Sequence, residues 1–285
     1  MGTDAPRIVP DVVSGEPRVL ATARRARPHR PAAGGCPFCP GNEEATPPEV
    51  SRVARSADGR WTARCIPNLY PLLPTHELVV MTPRHVESAR DLSDDEWLAT
   101  AQLLVERYRE HEDHPDHVVS AFINDGERAG ASIPHAHLQL VAGPVTELAS
   151  RWMLHAVDPG SCGVCHSLAA NDLRIAERSG AVLCAHPTPI GNGGLLAGPA
   201  AHDSSLTRAD PEVLAAALGM ACRAAPTDVD FNVLLRSRPD LGHWHLEVVP
   251  RRGYQAGAEL SLGIGVTLTD PAEVAAGARE RLAHA

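Results

Sequence analysis

With 285 residues the chain can bury a substantial core as one large domain or two smaller ones, and at 4% aromatic content that core has to be mostly aliphatic. A formal charge of −9 excludes a non-specific nucleic-acid binder, which needs a basic surface to displace counterions. All 26 basic residues are arginines, so Schiff-base chemistry and a P-loop lysine drop out, while the arginine fork still suits the phosphate of a small molecule.

No apolar run approaches the ~20 residues of a membrane span. The opening MGTDAPRIVP has no charged-then-apolar signal pattern, so the cytoplasm is the expected compartment. Of seven cysteines, four form two Cys-x-x-Cys pairs, a spacing that suits metal or redox chemistry, whereas Cys65, Cys184 and Cys222 read as small core residues.

Taken in order, a short apolar run at Arg18 to Ala21 precedes Arg24, Arg25, Arg27 and Arg30, a solvated basic loop or a phosphate contact. CPFCPGNEEATPPEV follows, with Cys36 and Cys39 expected in an irregular loop. Asn68 falls in the proline-bounded RCIPNLYPLL, read as a loop. HELVVMTPRH is a buried strand that ends at Pro83 and delivers His85. Ser93 and Glu96 make a capping box for a helix with Trp97, Ala101, Leu104, Val105 and Tyr108 at helical spacing. VVSAFIND returns as a strand ending at Asn124. GASIPHAHLQL, from Gly130 to Leu140, alternates as another, which puts His135, His137 and Gln139 on one face and Ala136, Leu138 and Leu140 in the core. Three polar groups at strand spacing need partners, so that face binds or reacts with a ligand.

The second half repeats this order. CGVCH supplies Cys162 and Cys165, AVLCAHP and GGLLAGP read as strands, and His202 follows the second of them. A helix from Thr207, the strand FNVLLR, and GHWHLEVVPR with His243, His245 and Glu247 on one face complete it. The intervals from Cys39 to His85 to His135 are 46 and 50 positions, and those from Cys165 to His202 to His243 are 37 and 41. The expected fold is therefore α+β: two tandem half-domains, residues 1–150 and 151–285, packed as a pseudo-dimer of antiparallel sheets with flanking helices, the boundary near Thr146 to Gly160. AELSLGIGVTLT reads as a strand-like run, and Asp270-Pro271 starts a last helix.

Two cysteines and two histidines close a tetrahedral zinc site. Cys36, Cys39, His85 and His135 fit that composition and would staple the N-terminal loop to the sheet. Cys162, Cys165, His202 and His243 are the candidate second zinc site, leaving His245 a free imidazole that joins the candidate substrate-binding residues. Both cysteine pairs are expected in loops without the helix-start context of redox pairs. His137 is then the imidazole left to react: a neutral imidazole attacks phosphorus well, with Ser132 and backbone amides to serve the phosphoryl oxygens.

CPFCPGNEEATPPE, FINDGERAGASIPHAHLQ, and HWHLEVVPR followed by YQAGAEL carry a resemblance to the galactose-1-phosphate uridylyltransferase family of the histidine-triad superfamily, over nearly everything from Arg24 onward. The resemblance implies a double displacement. His137 would attack the α-phosphorus of a nucleoside diphosphate sugar and release a sugar 1-phosphate, and a second sugar 1-phosphate, or inorganic phosphate in phosphorylase relatives, would then take the nucleotide. It implies further that Gln139 holds the transferred phosphoryl group, where hydrolase cousins have a histidine. Asn68 would touch the nucleoside, Asn124 and Ser132 the phosphates, Arg24 or Arg27 the pyrophosphate, and Glu259 the sugar hydroxyls. UMP is the expected group, with an ADP-sugar or dinucleotide phosphorylase as the alternative and a zinc-stapled nucleotide-binding protein as a third reading. A homodimer whose active sites use both chains is implied too. Ala136 stands where the family often has proline, Leu138 replaces a small or polar residue, and SLGIGV offers no glutamine beyond Glu259; these departures bear on which sugar is used.

Overall fold

The computed structural model describes residues 6–12, 17–26, 35–54, 60–112, 117–144, 160–203, 205–237, 242–253 and 256–284. Arg27 and the expected boundary segment 146–159 lie outside the described residues. An N-terminal hairpin of β1 (Arg7–Pro10) and β2 (Pro17–Leu20) forms a sheet of its own. Ten further strands form one antiparallel sheet.

The first half supplies β3 (Ser51–Val53), β4 (Ala63–Pro67), β5 (Thr75–Val80), helix α1 (Asp94–Glu112), β6 (His117–Asp125) and β7 (His137–Pro144). The second supplies α2 (Gly163–Ala169), β8 (Arg174–Arg178), β9 (Ala181–Ala185), β10 (Leu195–Pro199), α3 (Pro211–Ala224), β11 (Phe231–Arg236) and β12 (His245–Pro250). The strand order β3-β4-β5-β7-β6-β11-β12-β10-β9-β8 reads the same in each half outward from the β6–β11 seam. At that seam Asn124 pairs with Asn232, whose Nδ2 donates to Asn124 Oδ1 at 2.8 Å. The two half-domains of the pseudo-dimer thus share one continuous sheet rather than packing two separate ones.

One face of the sheet carries α1, α3 and the last helix α5 (Pro271–Ala283), and between helices and strands lies the main core. The helical spacing read from α1 is what buries Trp97, Ala101, Leu104, Val105 and Tyr108 here, each large side chain contributing ~1.5–3 kcal/mol through lost water contact. The capping box forms as the sequence indicates: Ser93 N donates to Glu96 Oε2 at 2.8 Å and Glu96 N to Ser93 Oγ at 3.3 Å. α3 and α5 each start at a proline behind a capping aspartate, Asp210 and Asp270. The opposite face carries two smaller clusters beneath the cysteine loops, one around Phe38, Trp61, Ile66, Leu78 and Val80, the other around Cys162, Val164, Leu168 and Leu196.

Several expectations need correcting. RCIPNLYPLL is not all loop, because Ala63–Pro67 forms β4 between β3 and β5, its Cys65 paired with Ser51 and Val79. GASIPHAHLQL becomes strand only at His137; residues 130–136 form a loop that Gly130 enters with φ +96°. Residues 258–269 do not form a strand. Gly257–Leu262 is a short helix, α4, and the residues that follow it pair with no sheet strand among the described residues. The second helix starts at Pro211 rather than Thr207, where proline fits the first turn. Cys162 lies not in a plain loop but at the N-cap of α2, its Sγ accepting from Cys165 N. Cys65, Cys184 and Cys222 are buried in the core, as read. No helix among the described residues is long and apolar enough to cross a membrane.

Beneath β5 the core holds a charged group. Glu77 accepts from Arg107 Nε at 2.9 Å and from His111 Nε2 at 3.0 Å, all three largely buried. Burial alone would raise the Glu77 carboxyl, but the hydrogen bonds from His111 and Arg107 outweigh it and hold the group at about 2. A carboxyl depressed in the folded state stabilises the fold above its unfolded value, and that contribution is lost as pH falls toward the folded one. Melting temperature should therefore drop as pH is lowered from about 4.5 to about 2, the interval between the ordinary value and the folded one. Arg107→Met, which strands the carboxylate, should cost about 3 kcal/mol by urea unfolding at neutral pH; an unchanged midpoint would show that the triad contributes nothing.

Candidate active site and metal centres

The structure brings both sets of cysteines and histidines together. Cys36 and His135 approach to 3.4 Å (Sγ to Nδ1), Cys39 and His85 to 3.3 Å, and the four ligand atoms lie within 4.8 Å of one another. In the second half Cys165 stands 3.4 Å from His202 and 3.2 Å from His243, with Cys162 at 3.8 Å from His243. Tetrahedral zinc bonded at ~2.3 Å to sulfur and ~2.0 Å to nitrogen puts these atoms about 3.5 Å apart, so the donor sets fit such an ion.

The outer contacts point the same way. His135 Nε2 donates to Thr82 O at 2.9 Å and His243 Nε2 to Pro199 O at 3.0 Å, which leaves each Nδ1 unprotonated toward the sulfurs. Burial, then the neighbouring cysteine, pushes the Cys39 and Cys165 thiols up to about 11, and a divalent cation between them is what would hold them as thiolates. The two histidine Nδ1 atoms at 3.4 and 3.2 Å from Cys165 Sγ favour metal ligation over a redox pair at Cys162 and Cys165, despite its helix-start position.

His135 leads directly to His137. Its carbonyl oxygen accepts from His137 Nδ1 at 2.8 Å, so the His137 proton sits on Nδ1 and Nε2 is the nitrogen that keeps its lone pair. Phe38, from the loop between the two cysteines, packs edge-on against the His137 ring at 5.3 Å between centroids. His135, His137 and Gln139 are 1%, 4% and 2% exposed. Gln139 Oε1 lies 3.0 Å from His76 Nε2. His76 was not singled out in the sequence, where it reads only as the start of a buried strand; its parity with Leu78 and Val80 is the one available signal, and the pairing of β5 with β7 is what makes it matter.

The other residues fall at differing places. Asn124 stands one residue before the end of β6 at the seam, its Nδ2 donating to Gly130 O at 3.4 Å, while Ser132 sits half-buried in the loop before His135. Gly126 opens that loop with φ +93°, and a Cβ there would lie 2.2 Å from Asp230 Cγ. Asn68 follows β4, its Oδ1 accepting from Tyr70 N at 2.8 Å and its Nδ2 3.0 Å from His76 Nε2. Arg24 NH1 donates to Tyr70 O, which ties the arginine segment to the Asn68 loop. Glu259 is not brought to the others: it caps its own helix through Ala256 N at 2.6 Å, and α4 has no buried residue.

His245 repeats the frame of His137, its Nδ1 donating to His243 O at 2.8 Å, and burial holds it below the ordinary imidazole value. Its surroundings differ. Glu247 takes the place of Gln139 in the register, each standing opposite a leucine of the neighbouring strand, Leu196 or Leu78. Arg236 stands opposite His245 and donates to Glu247 Oε1 at 3.1 Å, with His245 Nε2 3.8 Å from the same oxygen. A cleft of about 800 Å³ lies elsewhere, lined by Arg84, Arg90, Arg178 and Arg223, but Arg84 is paired with Glu96, and Arg178 and Arg223 with Asp94.

Metal content tests both centres. Elemental mass spectrometry should find two divalent ions per chain, with Cys36→Ser and Cys162→Ser each losing one of them; two ions retained in either variant would remove that cysteine from its ligand set.

No protein-family model matches the chain. An ADP-glucose phosphorylase of Arabidopsis thaliana is 26% identical over 332 aligned positions, covering 97% of this chain and 93% of the relative. The crystal structure of an Arabidopsis thaliana ADP-glucose phosphorylase with bound ADP-glucose superposes with a TM-score of 0.74 at 23% identity, covering 97% of this chain and 99% of the other. A uridylyltransferase structure gives a TM-score of 0.75 at 23% identity, covering 97% and 98%. The likeness read from three motifs therefore extends along nearly the whole chain, which is similar in sequence to ADP-glucose phosphorylase and shares the α+β fold of the galactose-1-phosphate uridylyltransferase-like nucleotidyltransferases of the histidine-triad superfamily.

Proposed function

We propose that the protein is a nucleotidyltransferase acting on a nucleoside diphosphate sugar through a covalent nucleotidyl-histidine at His137. The observation that carries this reading is the tautomer of His137: Nδ1–H is committed to His135 O at 2.8 Å, so Nε2 presents a lone pair on the face that also bears Gln139. Nε2 attacks the α-phosphorus, the bond to the bridging oxygen breaks, and the sugar 1-phosphate leaves. The ring then carries positive charge, which the His135 carbonyl stabilises through the same hydrogen bond. Ser132, Asn124 and the Gln139 amide are the groups placed to serve the phosphoryl oxygens. Inorganic phosphate or a second sugar 1-phosphate next attacks the same phosphorus, the P–N bond breaks, and neutral His137 is restored.

Zinc is the metal we assign to both Cys₂His₂ groups, and its task is structural: it holds His135 and the Phe38 loop in place, and so fixes the ring that reacts. His245 is a counterpart of His137 by frame, and Glu247 beside it would repel an anionic phosphoryl group where Gln139 can donate to one.

The base separates two versions. UMP transfer between sugar 1-phosphates is what the motifs imply; ADP-sugar phosphorolysis is favoured by the sequence match to ADP-glucose phosphorylase along 97% of the chain. The fold is common to both and does not choose. Intact-mass spectrometry after mixing with UDP-glucose, ADP-glucose or GDP-mannose should show a gain of one nucleoside monophosphate, UMP or AMP, in the wild type and none in His137→Gly. No adduct with any donor would leave the zinc-stapled binding protein as the better reading.

A homodimer belongs to the same proposal. Val12 is fully exposed, and Leu260 and Leu268 are 67% and 84% exposed. Apolar surface of this kind on a hairpin turn, a helix and the loop after it, outside the main core, is suited to burial against a second copy. Burial there would also bring a partner's Glu259 helix into contact. Light scattering should return twice the chain mass, and Leu260→Asp with Leu268→Asp should return the monomer; a monomeric wild type at working concentration would refute the dimer.

A further inference from the structure

Gln139 has an amide whose two ends differ in chemistry. Its NH₂ can donate to an anionic phosphoryl oxygen, and its C=O would repel one. Which end faces His137 is decided by whatever holds the other, and in this structure that neighbour is His76. His76 lies on β5 opposite Val141, diagonal to Gln139 across the β5–β7 pair, and is 3% exposed.

The tautomer of His76 follows from one contact. The backbone N–H of Leu72 donates to His76 Nδ1 at 2.9 Å, and a peptide N–H can only donate, so Nδ1 is the acceptor and the ring proton sits on Nε2. That proton has two neighbours at 3.0 Å, Gln139 Oε1 and Asn68 Nδ2. Asn68 cannot take it: its Oδ1 is engaged by Tyr70 N at 2.8 Å, which leaves its nitrogen as a second donor. Turning Gln139 over would set its NH₂ against Nε2–H, a contact between two donors in a buried site. The Leu72 N–H, the His76 ring and Gln139 Oε1 thus form a chain whose direction the Leu72 donor sets, with Asn68 Nδ2 beside it as a further donor.

We propose that His76 is a positioning residue for nucleotidyl transfer: it holds the Gln139 oxygen away from the reacting phosphorus and keeps the amide NH₂ turned toward the phosphoryl group on His137. The role rests on the nucleotidyl-transfer reading above and assigns a residue that the motifs do not contain. His76 touches neither phosphorus nor sugar in this scheme. Its effect is to choose one of two amide orientations, so its loss should slow the chemical step and leave substrate binding largely intact.

The test is single-turnover formation of the nucleotidyl-enzyme in wild type, His76→Leu, His76→Gln, Gln139→Leu and the His76→Leu/Gln139→Leu double variant, with ADP-glucose and UDP-glucose as donors. His76→Leu should lose roughly tenfold to a hundredfold in rate, with the donor concentration at half-maximal rate changed by less than about threefold. His76→Gln, whose amide nitrogen can replace Nε2–H, should recover most of the loss. In the Gln139→Leu background His76→Leu should cost no more than about twofold, because nothing is left to orient. The same loss in both backgrounds would mean that His76 only supports the fold, and a wild-type rate in His76→Leu would overturn the role alone. A wild type that forms no adduct with either donor would overturn the nucleotidyl reading and this role with it. ¹⁵N NMR of the imidazole nitrogens, assigned by the signal lost in His76→Gln, reads the tautomer without any turnover: protonated Nε2 with bare Nδ1 supports the chain of hydrogen bonds, and protonated Nδ1 refutes it.

Discussion

Three bonds made by one residue organise the first half of the molecule. His135 aims Nδ1 at Cys36, donates from Nε2 to Thr82 O, and gives its carbonyl oxygen to His137 Nδ1. The first contact belongs to the Cys₂His₂ group, the second anchors it to the segment just after β5, and the third sets the tautomer of His137. Burial at 1% exposure makes all three obligatory, because a buried polar atom without a partner costs ~1–3 kcal/mol. The Cys₂His₂ group and the His137 ring are consequently one mechanical unit. Phe38 closes it, its ring packed against His135 and His137 at 5.9 and 5.3 Å.

The same backbone frame occurs twice, and comparing the copies separates scaffold from chemistry. His243 repeats the contacts of His135 and His245 the carbonyl bond of His137. What changes is the polar company. The first copy keeps neutral amides near the ring, Gln139 beside it and Asn124 one residue beyond the Ile123–Leu138 pair. The second has a buried ion pair, Arg236 with Glu247. Neutral amides can turn to meet an arriving anion. An ion pair at this depth has already satisfied itself, and breaking it by removing one partner would cost about 3–5 kcal/mol. The repeated frame gives two similar geometries, and they differ in side-chain charge: amides near His137, an ion pair beside His245.

The places where local reading fails share a physical cause. The run 258–269 alternates well enough for a strand, yet its start closes as a helix, with Glu259 accepting from Ala256 N and Gly263 N donating to Glu259 O. β4 was hidden by the prolines around it, which sit at its end and beyond, where they do not interrupt the ladder with β3 and β5. Cys162 caps a helix because its thiol accepts from the backbone of Cys165 before any ion is considered. In each case a neighbour distant in sequence, or a backbone donor, overrode composition.

The sequence by itself determined what depends on spacing along the chain. Alternation placed His137 and Gln139 on one face, helical period chose the buried side of α1, and the ordered repeat of Cys-x-x-Cys, His and His-x-His gave both donor sets and the two-half plan. These are short-range or composition-level properties, and no fold is needed to read them. Tertiary structure alone decided the rest: that both halves share one ten-stranded sheet, that β5 lies beside β7 so that His76 meets Gln139, that Arg236 neutralises Glu247, and that Glu259 stays apart from the site within a single chain. Those facts depend on which strand edges pair and which faces pack, and a linear pattern carries no information about the partner of a strand until the sheet has formed.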